Sequence, residues 1–399
     1  MTDVVQRHLD AIVRESYGRL LAILASRCRD VEAAEDALAD AIEQALESWP
    51  HTIPSNPAAW LLTAARRRLV DGIRHHRRLD VRPINEHELW ELDAEPDAIP
   101  DERLRLMFVC AHPSIAPSMR TALMLQCVLG VSADRIASAM LVAPATMGQR
   151  LVRAKAKIRD AGLPFDVPGP PSLEQRLGYV LDAIYAAYTT GTDALPGDAD
   201  GAELESEARH LARVLADLLP GHAEVWGLLS VLLATSGRSP ARFDDHGCFV
   251  PLNKQDTGAW HTGLLDEAER ALQTAAGLPG LGRYCVEASI HSAHSARRFG
   301  HDVPWTLICT MYDHLVLLTP SIGARIARCS ARAEVIGRQQ AHAELCAMES
   351  PALADHQPYW VARYILGRGL ATNEYSQREH IKAFGLTRHP GIRQYLQTR

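Results

Sequence analysis

The sequence predicts an all-α protein of several domains, and three observations carry that prediction. The chain is rich in Ala and Leu, with only 6% aromatic residues, a composition that favours helix over sheet. Apolar residues recur three and four apart along much of its length, the period of a helix with one buried face. Proline clusters at 50–57 and 164–171 interrupt those stretches, because proline inside a helix removes a hydrogen bond and clashes with the preceding turn. At 399 residues the chain exceeds one ordinary domain and can fill two or three cores.

In chain order, residues 4–48 read as two amphipathic helices, the second acid-rich from Asp30 to Glu47. Pro50, Pro54 and Pro57 end that helix, and a third runs from there to about Leu79. Glu86 to Glu102 holds eight carboxylates, two prolines and no Lys or Arg; too little of it is apolar to fold alone, so it reads as a linker. A second helical block covers about 102–162 and stops at Pro164, Pro168, Pro170 and Pro171. Beyond Leu173 come amphipathic segments such as 203–219, 222–236, 264–276, 284–298, 304–318 and 357–371. Paired helices of that length suggest a tetratricopeptide-like array, although the strict repeat of about 34 residues is missing. The expected domains are therefore 1–82, a linker at 83–101, 102–163, and a helical-repeat-like domain at 164–399.

Several function classes drop out. No apolar run approaches the roughly 18 residues of a membrane span, and the N-terminus lacks a basic start followed by an apolar stretch, so a cytoplasmic protein without membrane contact is expected. The eight cysteines never form a C-x-x-C pair and read as reduced, mostly small core residues. His291 and His294 lie three apart with His301 nearby, but no third ligand with a general-base carboxylate accompanies them, so neither metal nor cofactor is expected. No phosphate-binding glycine loop, nucleophile elbow or carboxylate pair points to an enzyme.

The net charge of -6 conceals two concentrated basic stretches. Between Ala58 and Leu79, Leu62, Ala65, Leu69 and Ile73 mark one helix face and Arg67, Arg74 and Arg78 the other, with Arg66, Arg68 and Arg77 widening the charged side. Guanidinium forks on such a helix fit phosphates or guanine edges. The loop Trp49 to Pro57 adds an aromatic ring, a histidine and an amide, groups that capture unstacked bases. Trp49 and Trp60 read first as core residues; Asn56 is the better base contact, or else the cap of the helix opening at Pro57.

In the second stretch Ser132 caps a short helix to Met140, a tight connection follows, and Pro144 opens another helix: the helix-turn-helix pattern. Met147, Leu151, Ala154 and Ile158 form its inward stripe. Thr146, Gln149 and Arg150 are placed for base edges, and Arg153, Lys155 and Lys157 for phosphates.

Taken together these residues resemble the sigma-70 family, specifically its extracytoplasmic-function group. Ala65-Arg66-Arg67-Arg68-Leu69-Val70-Asp71-Gly72-Ile73-Arg74 resembles the region-two run A-R-N-x-A-I-D-x-x-R, with Arg67 where Asn is usual. Ala145-Thr146-Met147-Gly148-Gln149-Arg150-Leu151-Val152-Arg153-Ala154 resembles the region-four pattern, Met147 and Gln149 being departures. Asn56 to Thr63, Ala111-His112-Pro113, Gln255-Asp256 and Trp260 resemble a subgroup with a long tetratricopeptide-like C-terminal extension.

The resemblance implies two small helical DNA-binding domains plus that extension. It assigns Asn56, Arg66, Arg67, Arg74, Arg77 and Arg78 to the −10 promoter element, and Thr146, Gln149, Arg150, Arg153 and Lys157 to the −35 element. Asp36, Asp40 and Gln44 on the acidic helix would dock on the β′ subunit of core RNA polymerase, an acidic face meeting a basic one. The partners implied are promoter DNA, the polymerase β′ and β subunits, and a regulatory protein at the extension. The competing reading is a one-component helix-turn-helix regulator that never binds polymerase; it leaves the Arg66 to Arg78 helix and the acidic helix without a role.

Overall fold

The computed structural model describes residues 16–49, 53–77, 100–140, 142–165, 168–193, 198–348, 350–370 and 373–397. Almost all of the acidic linker and Arg78 lie outside the described residues. Among those described, the elements are helices joined by short loops, and Phe243 and Phe249 make an isolated antiparallel bridge. The all-α expectation holds. The chain forms two compact units, one of Met1–Ala194 with Asp198–Val214, the other containing Leu215–Arg399.

The first unit begins with α1 (residues 16–28) and α2 (Val31–Ser48). Asp30 separates them, its Oδ1 accepting from the amides of Glu32 at 3.0 Å and Ala33 at 3.2 Å, which satisfies amides a helix start leaves unpaired. The α2 residues Val31, Ala34, Leu38, Ala41 and Ala45 are buried. Helix α3 (Pro57–Arg77) packs on α2 and buries Leu61, Ala65 and Leu69.

Next come α4 (Pro100–Cys110), α5 (Pro117–Cys127), α6 (Ala133–Ala139) and α7 (Pro144–Asp160). Ser132 caps α6 by accepting from the Arg135 amide, and Pro144 stands in the first turn of α7, as the sequence predicts.

At the second proline cluster the structure departs from the expected boundary. Pro170 and Pro171 open α8 (Pro170–Thr192), since a first helical turn needs neither of their missing N–H groups. Leu173, Leu177, Val180, Leu181 and Ile184 of α8 are buried, and the helix packs on α4 and α5. The Arg120 guanidinium lies 4.3 Å from the Tyr179 ring centre. The first unit therefore continues past residue 163 into α9 (Ala199–Leu218), where Glu207 pairs with the buried Arg103 of α4.

The second unit is built mainly from consecutive neighbours. Helices α10 (Ala223–Arg238), α11 (Thr262–Ala276), α12 (Arg283–Ser295), α13 (Trp305–Leu318), α14 (Ile322–Ile336), α15 (Arg338–Cys346), α16 (Gln357–Gly367), α17 (Asn373–Leu386) and α18 (Pro390–Gln397) each pack on the next. The segment between α10 and α11 is pinned by buried polar bonds. Trp260 Nε1 donates to Gln255 Oε1 at 3.2 Å, and the Arg297 guanidinium donates to the backbone carbonyls of Leu252 and Gln255. Gln255 and Trp260, singled out by the sequence, thus hold a loop.

The three histidines do not assemble. His291 bonds to Arg238, His294 packs edge-on against Trp305, and His301 is exposed. Burial, with the Arg238 charge beside it, lowers the His294 pKa to about 4 and pushes His291 well down too. A histidine held neutral in the fold but free to protonate on unfolding contributes stability that is full above about pH 6.5 and is lost as pH falls toward the folded pKa. The second unit should therefore lose on the order of 1–2 kcal/mol between pH 7 and 5 through His294. Melting of the chain and of His294→Asn across that range checks this; equal pH slopes would rule His294 out.

Candidate nucleic-acid interface

Spacing on α2 separates its acids into two rows. Asp36, Asp40 and Gln44, each four apart, are exposed and share one face. Glu32 and Glu35 face α7 instead. Lys155 Nζ lies 2.5 Å from Glu35 Oε2, with the side chains only 9% and 18% exposed, and Arg159 Nη1 lies 2.8 Å from Glu32 Oε2. Beneath the first pair sits Cys127, whose Sγ is 3.9 Å from Glu35 Oε1. Its hydrogen bond with Cys110 and its burial hold that thiol well above the ordinary range, hence protonated.

Helix α7 presents the outward set read from its period. Gln149, Arg150, Arg153 and Lys157 are exposed and Thr146 is half-buried, while Met147, Leu151, Ala154 and Ile158 are buried. Arg153 Nε donates to the Gln149 carbonyl at 3.3 Å. One expected phosphate contact fails: Lys155 is inside. It stands four residues after Leu151 and three before Ile158, on the flank of the apolar stripe, so the helix turns it onto α2 rather than toward solvent.

On α3, Arg67 and Arg68 are exposed and Arg66 is half-buried. Arg68 Nε reaches Asp40 Oδ2 at 4.0 Å, both side chains being more than half exposed, a screened pairing of little energy. Arg74 and Arg77 extend the same helix to its end. Their side chains lie outside the described residues.

The loop before α3 is less open than its composition suggests. Trp49 is 2% exposed and meets the half-buried Trp60 edge-on, ring centres 5.6 Å apart, so its faces are not free to stack on a base. His51 lies outside the described residues. Asn56 is exposed, and its Oδ1 accepts from the Ala59 amide at 3.0 Å, so it caps the helix opening at Pro57.

The site thus consists of an acidic row on α2, an arginine row on α3 and a polar row on α7. The ion pairs between α2 and α7 escaped the sequence reading, since they join residues 120 and 127 apart. The only available signal was Lys155 falling within an apolar stripe.

Comparison with known proteins bears on both halves of the chain. Residues 12–79 match the model of Sigma-70 region 2, and residues 176–276 match a family of unknown function (DUF6596). An uncharacterized protein of Rhizobium meliloti (strain 1021) is 34% identical over 304 residues, 73% of this chain and 72% of that protein. No solved structure matches.

Proposed function

We propose that this chain, which belongs to the sigma-70 family and to one family with the Rhizobium meliloti protein, is a transcription-initiation factor of the extracytoplasmic-function type. Its α2 face docks on core polymerase through Asp36, Asp40 and Gln44. Arg66, Arg67, Arg74, Arg77 and Arg78, with Asn56, hold the −10 element as it opens. Thr146, Gln149 and Arg150 read the −35 element from the major groove, with Arg153 and Lys157 on its phosphates. The chain binds; it performs no bond chemistry.

The observation that carries this reading is the match of residues 12–79 to region 2 in a unit whose α7 exposes a polar row of the recognition-helix kind. A second observation adds a step. Helix α2 packs on both α3 and α7, so the two DNA-facing modules sit within a few helix diameters of about 10 Å. Promoter elements centred about 25 base pairs apart span about 85 Å of duplex, at 3.4 Å per pair. Both cannot be engaged in this arrangement. The Glu35–Lys155 and Glu32–Arg159 contacts open when the factor joins polymerase and promoter.

Transcription with purified core polymerase on a genomic template library tests the reading: added protein should yield promoter-specific transcripts, and none at any concentration would refute it. In the same assay Arg150→Ala and Gln149→Ala should each cut discrimination among −35 variants about 5- to 150-fold, corresponding to about 1–3 kcal/mol per base contact. A loss uniform across variants would leave them out of base readout.

The tetratricopeptide-like extension regulates the factor, by contacting the DNA-binding modules or by receiving a partner protein on its surface. Because the first unit runs on to Val214, the informative truncation falls after Leu218, the end of α9, rather than at the prolines. Transcription should then change; an unaltered level would contradict regulation.

A further inference from the structure

His342 and Cys346 stand four apart on α15, so both project from one face of that helix. The fold brings Glu379, from α17, against them. His342 Nε2 lies 3.6 Å from Cys346 Sγ and 3.3 Å from Glu379 Oε1, and one ligand atom from each residue falls within 4.8 Å of the others. Zinc takes nitrogen at about 2.0 Å, thiolate sulfur at about 2.3 Å and carboxylate oxygen at about 2.0–2.2 Å in tetrahedral geometry, which sets edges of about 3.5 Å for N···S and about 3.3 Å for N···O. The two spacings from His342 match those edges.

A separate observation points to a missing ligand. Glu379 is 2% exposed, and among the described residues its buried Oε2 has no hydrogen-bond partner. A buried carboxylate oxygen left unpaired is destabilising. Its Oε1 is held by Arg363, from Nε at 2.9 Å and Nη2 at 2.8 Å, an outer-shell contact of the kind that orients metal-binding carboxylates. Gly367 keeps the space open: a Cβ there would lie 2.7 Å from His342 Nε2 and 2.9 Å from Glu379 Oε2.

We propose that His342, Cys346 and Glu379 bind a divalent cation of the zinc class, with a fourth position left for water or an outside ligand. On binding, the Cys346 thiol releases its proton to solvent. The thiolate and carboxylate then bring two negative charges to the cation, and Arg363 stays on Oε1. The site ties α15 to α17 and so makes the order of the C-terminal helices depend on metal.

The full chain, stripped with chelator and titrated with Co²⁺, tests this. One equivalent should give tetrahedral visible bands and a near-ultraviolet thiolate band, both displaced by Zn²⁺. Cys346→Ser should abolish the thiolate band, and Glu379→Gln should weaken binding at least about tenfold. Absence of the band, or its survival in Cys346→Ser, would overturn the proposal. Should that variant fail to fold, alkylation of the unmodified chain decides: Zn²⁺ should protect Cys346 among the eight cysteines, and protection only elsewhere refutes the site.

Discussion

Lys155→Met is expected to destabilise the packing of α7 on α2 by about 2–3 kcal/mol, while Lys155→Met with Glu35→Met recovers most of the loss. Removing one member of a buried ion pair strands the other charge, at about 3–5 kcal/mol when both are fully enclosed. Here Glu35 retains 18% exposure, so some solvation survives and the figure drops. Replacing both charges with apolar side chains of similar volume removes the stranded group as well, so the double variant tells packing from charge. Hydrogen exchange of the Pro144–Asp160 amides reads the effect locally, and a loss of about 2–3 kcal/mol corresponds to about 30- to 150-fold faster exchange where opening is a fast pre-equilibrium. If the closed arrangement must open for promoter binding, the single variant should also need less polymerase for half-maximal transcription. Unchanged exchange would show that the pair holds nothing together.

The same pair shows how much of the site could be read beforehand. The outward polar row of α7 follows from a 3.6-residue period, and Gln149, Arg150, Arg153 and Lys157 are exposed as that period requires. The acidic row of α2 follows from the same rule. What periodicity cannot supply is the partner of each face. Lys155 reads as one more phosphate contact until Glu35 is brought to it from another helix. Trp49 shows the reverse: the caution that it belongs to the core is upheld by its burial against Trp60.

Proline misleads in a related way. The cluster Pro164 to Pro171 does follow the end of α7 at Asp160, yet Pro170 and Pro171 are also starts, because what proline forbids in a helix interior it permits in a first turn. Five of the six amphipathic segments named beyond Leu173 coincide closely with a helix, 222–236 for instance with Ala223–Arg238, whereas 357–371 overruns the end of Gln357–Gly367 and Ile322–Ile336 is not among them. The cluster of His342, Cys346 and Glu379 was illegible, since the carboxylate arrives 33 residues after the thiol and no spacing rule anticipates that return.

Glu224→Ala should destabilise the second unit by about 3–4 kcal/mol. Helix α12 begins at Arg283 after Gly282, a residue with no side chain to cap it. Its first amides are satisfied from α10 instead. Glu224 Oε1 accepts from Gly282 N and Cys285 N, both at 3.0 Å, and Oε2 accepts from Tyr284 N at 3.1 Å. Bonds to an ionised acceptor contribute about 1.5–3 kcal/mol each, less than additively because one carboxylate serves all three, and the negative charge also opposes the positive end of the helix dipole. Glu224→Gln keeps one acceptor oxygen and should lose about half as much. Close approach depends on glycine at two places: a Cβ on Gly282 would meet the Glu224 carboxylate at 2.7 Å, and one on Gly227 would lie 2.7 Å from Cys285 N. That second contact is with backbone, which cannot swing aside, so Gly227→Ala should push α10 from α12 and add to the Glu224→Ala loss less than its own single effect. Chemical unfolding of the three single variants and the Gly227→Ala, Glu224→Ala pair gives the coupling directly. Full additivity would mean that the capping carboxylate and the helix contact act separately, and a Gln variant as stable as the unmodified chain would mean that the charge on Glu224 contributes nothing.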